Sequence, residues 1–237
     1  DCSSFRELLD DMIGQMDDGS VLCMNVHRNF DVVRRYFPGA KFVHLLRDPR
    51  DVARSSVLMG WSGVTYYGVD HWIHAENSWI RMVESARPAS CFELKYEDLI
   101  ADLGGHLDSL CQFIGVEFDS AMTDYHKNST YQPPDISLAY QWRRVQSLRE
   151  VGLIEFKARD LIVRSGYDLL SDGSRGPGII ESARLWVANR AYRYLFFIKR
   201  YGLLALLFRK PVELFPWLPG ASLYRRRMNR ILEEYVK

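Results

Sequence analysis

The stretch Lys41-Phe42-Val43-His44-Leu45-Leu46-Arg47-Asp48-Pro49-Arg50-Asp51-Val52-Ala53-Arg54-Ser55 decides the fold. Its first six residues, dominated by Phe, Val and Leu, read as a short buried strand. Asp48 then suits a helix N-cap and Pro49 the first helical position, where a fixed φ and a missing N–H cost nothing. A strand that runs directly into a helix is the opening half of a βαβ unit.

Both flanks continue the alternation. Upstream, Ser4-Phe5-Arg6-Glu7 has the form of a capping box, and Phe5, Leu8, Leu9, Met12 and Ile13 recur at helical spacing. Asp17-Asp18-Gly19-Ser20 breaks that helix, Val21 to Val26 reads as another buried strand, and a brief helix from Val32 to Tyr36 stops at Phe37-Pro38-Gly39. Downstream, a helix is expected over Asp70 to Ala86 and a third strand over Cys91 to Lys95, with Glu97-Asp98 opening the next helical region. Leu107, Leu110, Cys111 and Ile114 form an apolar stripe that ends at Gly115. Ser147-Leu148-Arg149-Glu150 is a second capping box, followed by Val151, Ile154, Ala158, Leu161 and Ile162 on one face. The expected class is α/β, a parallel sheet flanked by helices, with residues 1–170 as the core. Residues 171–237 read as a linker and a basic amphipathic helical tail.

The 237 residues suffice for one core plus an appendage. A formal net charge of +1, with 47% hydrophobic and 26% charged residues, gives no reason to expect a nucleic-acid partner. Cys2, Cys23, Cys91 and Cys111 lack metal-site spacing and read as small buried hydrophobes in a reducing compartment. No signal peptide and no long apolar run is visible, so a cytoplasmic location, peripheral to a membrane through the tail, is expected. The chain begins at Asp1 rather than Met and is expected to be the remainder of a longer reading frame.

Arg47 stands where a parallel strand ends and a helix begins, the place at which open α/β sheets bind ligands. The helix N-terminus favours an anion, and the Arg fork with the Ser55 hydroxyl could clamp a phosphate monoester. Taken alone, the two residues are better explained by an Arg47–Asp51 pair and by Ser55 bonding back to a helical carbonyl. His71 and His74 with Glu76 offer too few ligands for a metal and read as solvated helix positions, so no metal is expected.

The segment from Phe37 to Ser55 closely resembles the part of the sulfotransferases that binds the 3′-phosphate of their donor, 3′-phosphoadenosine-5′-phosphosulfate (PAPS). Leu94-Lys95-Tyr96-Glu97-Asp98-Leu99 is similar to that family's strand ending in Tyr-Glu-Asp. Leu110-Cys111-Gln112-Phe113-Ile114-Gly115-Val116, Trp142-Arg143 and Gly166-Tyr167 match later blocks. The resemblance implies a P-loop-like sulfotransferase fold over about residues 21–170. It also implies transfer of a sulfuryl group to an acceptor hydroxyl or amine on a small molecule, lipid or glycan. It assigns Arg47 and Ser55 to the 3′-phosphate, and Tyr96 and Arg143 to the rest of the donor. Asn25-Val26-His27 occupies the place of a Lys-Thr-His in some members, which makes His27 the candidate base but puts Asn where a Lys is expected. No 5′-phosphosulfate loop precedes Ser20 and no Gly-x-x-x-x-Gly-Lys occurs, so a truncated or inactive relative and a P-loop kinase stay as alternatives.

The tail alternates basic residues with Leu195–Ile198 and Leu203–Phe208, and adds Trp186, Tyr192, Tyr194, Tyr201 and Trp217. Lys199 and Arg200 rule out a comfortable span, and with Arg209 and Lys210 they favour an anionic surface. Such a helix suits an anionic membrane surface, the core, or a second copy in a homodimer.

Overall fold

The computed structural model describes residues 4–16, 19–84, 90–127, 129, 132–215, 217 and 219–236. β1 (Phe42–Leu46) and β2 (Cys91–Lys95) form a parallel two-stranded sheet flanked by helices. Asp48 caps α3 (Pro49–Leu58) by accepting from the Arg50 N–H at 2.9 Å, with Pro49 at the first turn. α4 (Thr65–Glu84) starts five residues ahead of the expected Asp70. The early start adds the buried Val69 to the helix. β2 leads directly into α5 (Tyr96–Ala101) and α6 (Leu103–Ile114), and Gly115 closes α6 at φ 92°, a value that favours glycine. After α7 (Trp142–Val145) comes α8 (Leu148–Arg164), whose Ser147–Glu150 capping box is fully formed.

The expected strand over Val21–Val26 is absent. Those residues have no regular structure, and Val21, Leu22 and Met24 are exposed. A strand persists only where a neighbour takes its N–H and C=O groups, and among the described residues the sheet consists of β1 and β2. Cys23 is accordingly exposed rather than buried, Cys91 is half-buried, and Cys111 is buried as expected; Cys2 lies outside the described residues.

The chain forms two compact units, Asp1–His44 with His74–Glu93, and Leu45–Ile73 with Leu94–Lys237. In the first, α1 (Phe5–Met16) and α2 (Phe30–Tyr36) accompany the second half of α4. Its centre is His44, 6% exposed and stacked on Trp79 at 4.3 Å. The His44 Nδ1 lies 2.9 Å from the Glu93 carboxylate and its Nε2 3.1 Å from that of Glu76. Burial opposes charge on the ring, but the two carboxylates outweigh it and raise its pKa to about 9.

A raised histidine pKa stabilises the fold fully below the unfolded value near 6.5, and the stabilisation fades as pH rises through 9. The contribution is on the order of 3 kcal/mol. Denaturant midpoints of the first unit should therefore fall between pH 6.5 and 9, and His44→Gln should flatten that fall. A profile that stays the same in the variant would disprove the assignment.

The core of the second unit is Leu46, Ala53, Val69, Trp72, Ile154, Ala158, Ile162 and Tyr167. Its remaining helices are α9 (Ile179–Tyr201), α10 (Leu203–Leu214) and α11 (Ala221–Val236). No helix among the described residues is long and apolar enough to cross a membrane. The side chains of Leu204, Leu206, Arg209 and Lys210 lie outside the described residues.

Candidate functional site

Parallel pairing puts the carboxyl ends of β1 and β2 at one edge of the sheet. The residue that follows each strand, Arg47 after β1 and Tyr96 after β2, therefore meets its counterpart there. The Arg47 guanidinium lies over the Tyr96 ring with Cζ 4.4 Å from its centroid. Its Nη2 donates to the Leu138 carbonyl at 2.9 Å, and its own carbonyl accepts from the Trp72 indole at 3.0 Å. The Arg47 Nε is buried and makes no hydrogen bond. An unmade bond on a buried donor costs about 1–3 kcal/mol.

Asp48, Arg50, Glu97, Glu155, Trp142 and Tyr167, all buried, anchor this edge. Arg50 donates through Nε and Nη2 to both Asp48 oxygens, at 2.9 and 2.7 Å, and through Nη1 to Glu155 at 2.8 Å and the Asp168 carbonyl at 3.1 Å. Its guanidinium also covers the Trp142 ring at 3.8 Å, and the Trp142 indole donates to Asp48 at 3.0 Å. Glu155 accepts further from the Leu170 and Ser171 N–H groups and the Ser171 hydroxyl. Glu97 accepts from the Asp48 N–H at 3.0 Å and the Tyr167 hydroxyl at 2.9 Å. Burial, then the neighbouring Glu97, raises the Tyr167 pKa and keeps its hydroxyl a donor.

The five residues predicted for the site lie in four places. Arg47 and Tyr96 are in contact. Ser55 is half-buried on α3; the serine that bonds back to a helical carbonyl is its neighbour Ser56, whose Oγ donates to Val52 at 2.9 Å. Arg143 is exposed beside the Tyr140 and Trp142 rings, at 4.8 and 5.3 Å, on the rim of a 370 Å³ cleft that includes Arg50, Gln146 and Asp168. His27 belongs to the first unit, exposed in an irregular stretch.

Arg47 bonds the Leu138 carbonyl rather than Asp51. Asp51 instead accepts from the Trp142 N–H at 2.8 Å, and burial raises its pKa. Sequence reading overlooked Arg50 and Glu155. The one available signal was Arg50 directly after Asp48-Pro49, since an Arg two positions past an N-cap Asp can fold back onto it. Glu76 turns inward to His44, and no metal-binding cluster of His, Cys, Asp and Glu occurs among the described residues.

Comparison with known proteins bears on the fold and the family. A solved sulfotransferase domain from the curacin biosynthetic pathway superposes with a TM-score of 0.50 at 18% identity over 59% of each chain, and so shares the fold. Two curated relatives, the omega-hydroxy-beta-dihydromenaquinone-9 sulfotransferases Stf3 of Mycobacterium bovis and Mycobacterium tuberculosis, are 33% identical over 98 residues. That alignment takes in 36% of this chain, and the chain spans a quarter of the length of these relatives. A family model described as the sulfotransferase family matches residues 4–120, which include β1, Arg47, α3 with Ser55, β2 and Tyr96. Through that segment the chain belongs to the sulfotransferase family.

Proposed function

We propose that the chain binds PAPS and directs its sulfuryl group to an acceptor hydroxyl. The observation that carries the reading is the Arg47 guanidinium. It is stacked on Tyr96 at the strand edge, and its buried Nε lacks a protein partner. A planar fork with an unused donor fits a phosphate monoester, and the α3 N-terminus adds a favourable dipole. In this reading Arg47 and Ser55 hold the 3′-phosphate, Tyr96 packs against the nucleotide, and Arg143 supplies a further positive charge at the rim. The donor supplies a sulfuryl group whose S–O bond to the 5′-phosphate breaks as the bond to the acceptor oxygen forms, leaving adenosine 3′,5′-bisphosphate. The acceptor proton must go to a base, a role given to His27 on its residue type and its place before Arg47. The names of the mycobacterial relatives favour a hydroxyl-bearing lipid as acceptor.

Ser55→Ala tests the phosphate assignment. Loss of one hydrogen bond to a charged group should weaken binding of adenosine 3′,5′-bisphosphate by about tenfold or more. Binding of adenosine 5′-monophosphate, which lacks the 3′-phosphate, should barely change. Isothermal calorimetry that found the same loss for both nucleotides would leave Ser55 a purely structural residue.

A further inference from the structure

A groove in the second unit lies away from the Arg47 edge. It opens at the far end of α3, about 15 Å along the helix axis from its N-terminus. α9 crosses there against the turn after α3. The Gly63 N–H donates to the Asn189 side chain at 2.6 Å. A Cβ on Gly63 would sit 2.4 Å from the Asn189 carbonyl oxygen, so the approach needs glycine. The groove between the two elements measures 570 Å³. Arg190 and Arg193 line it together with Trp61, Trp186 and Tyr194, and no carboxylate is in the lining among the described residues. Trp61 is half-exposed on one wall; Trp186, equally exposed on the other, lies under the Arg190 guanidinium at 4.8 Å.

Charge along the chain points the same way. Residues 179–237 hold twelve Lys and Arg against four Asp and Glu, a surplus of eight. The preceding 178 residues hold nineteen against twenty-six, so the near-zero net charge hides a strongly basic tail. Leu195, Leu203, Leu207 and Phe208 are exposed on α9 and α10.

We propose that the groove grips the phosphate of an anionic phospholipid and so seats the second unit on a membrane surface. Arg190 and Arg193 are exposed on this face, and such arginine forks select an anionic phosphate. Tryptophan and tyrosine around them suit the headgroup level, and exposed Leu and Phe suit the acyl boundary below it. A small soluble anion would make no use of those apolar side chains.

The test is flotation of the full chain with phosphatidylcholine vesicles, with and without phosphatidylglycerol. The wild-type chain should float only with the phosphatidylglycerol vesicles, and less as salt rises. Arg190→Glu with Arg193→Glu should lower the vesicle partition coefficient by more than about tenfold. Trp61→Ala, on the opposite wall and outside the basic tail, should lower it several-fold. Arg225→Glu with Arg226→Glu on α11 should cost clearly less than the Arg190 and Arg193 pair. Circular dichroism melts matching wild type show that each variant is folded. The proposal is overturned if wild type fails to float, if Trp61→Ala is without effect, or if the two Arg pairs cost the same. It is also overturned if the groove variants turn a dimer into a monomer, which would make the face a contact between copies. Nucleotide binding, measured on the same samples, involves other residues. The membrane proposal and the sulfuryl-transfer reading can therefore fail separately.

Discussion

Arg50→Ala should cost the second unit about 3–5 kcal/mol of folding stability, the largest loss expected from any single change in this chain. Arg50 is 2% exposed and forms ion pairs with Asp48 and Glu155, each itself inaccessible to solvent. Truncation leaves two buried carboxylates without a counter-charge, opens a void against Trp142 and strands the Asp168 carbonyl. Arg50→Lys should recover only part of the loss, because an ammonium cannot reach both Asp48 oxygens and Glu155 from one point. The check is the urea midpoint and slope of each variant. A loss below about 1 kcal/mol for Arg50→Ala would mean that the network is solvated in solution and does not anchor the site.

Three positions away, Arg47→Ala should do the opposite. Folding should change little, because the Nε of Arg47 is buried without a partner and its removal relieves that cost. Affinity for adenosine 3′,5′-bisphosphate should fall by about 100-fold or more, since a fork loses two charge-assisted bonds at once. Arg47→Lys should also bind poorly, because a point charge cannot reproduce the fork or its packing on Tyr96. Calorimetry showing wild-type affinity in both variants would remove Arg47 from the donor site and with it the main support for the proposed reaction. The contrast between the neighbours is the sharper test. Arg50 should govern stability and Arg47 binding, and an exchange of those outcomes would contradict the geometry.

Local chemistry made much of this molecule legible in sequence. Asp48-Pro49 fixed where β1 ends and α3 begins, Ser147 with Glu150 fixed the start of α8, and Gly115 fixed the end of α6. Each signal works within one helical turn, where a side chain reaches only nearby backbone. The family was legible for a related reason. The residues that carry the resemblance, from Phe37 to Ser55, lie together in one short stretch of chain.

Contacts between distant residues were not legible. Nothing near Val21–Val26 says whether a neighbouring strand lies beside it, so an apolar run that reads as a strand stays irregular. Nothing near Arg47 or Arg50 says which stays at the sheet edge and which is buried. Glu155 and Trp142, about a hundred residues downstream, decide it by claiming Arg50 and leaving Arg47 at the sheet edge. His44 looks like any strand residue until Glu76 and Glu93 close on both ring nitrogens. Sequence therefore determined the strand–helix frame and the family to which the segment from Phe37 to Ser55 belongs. Tertiary structure decided which charged side chains became structure and which stayed available to a ligand, because a buried charge persists only where distant partners neutralise it.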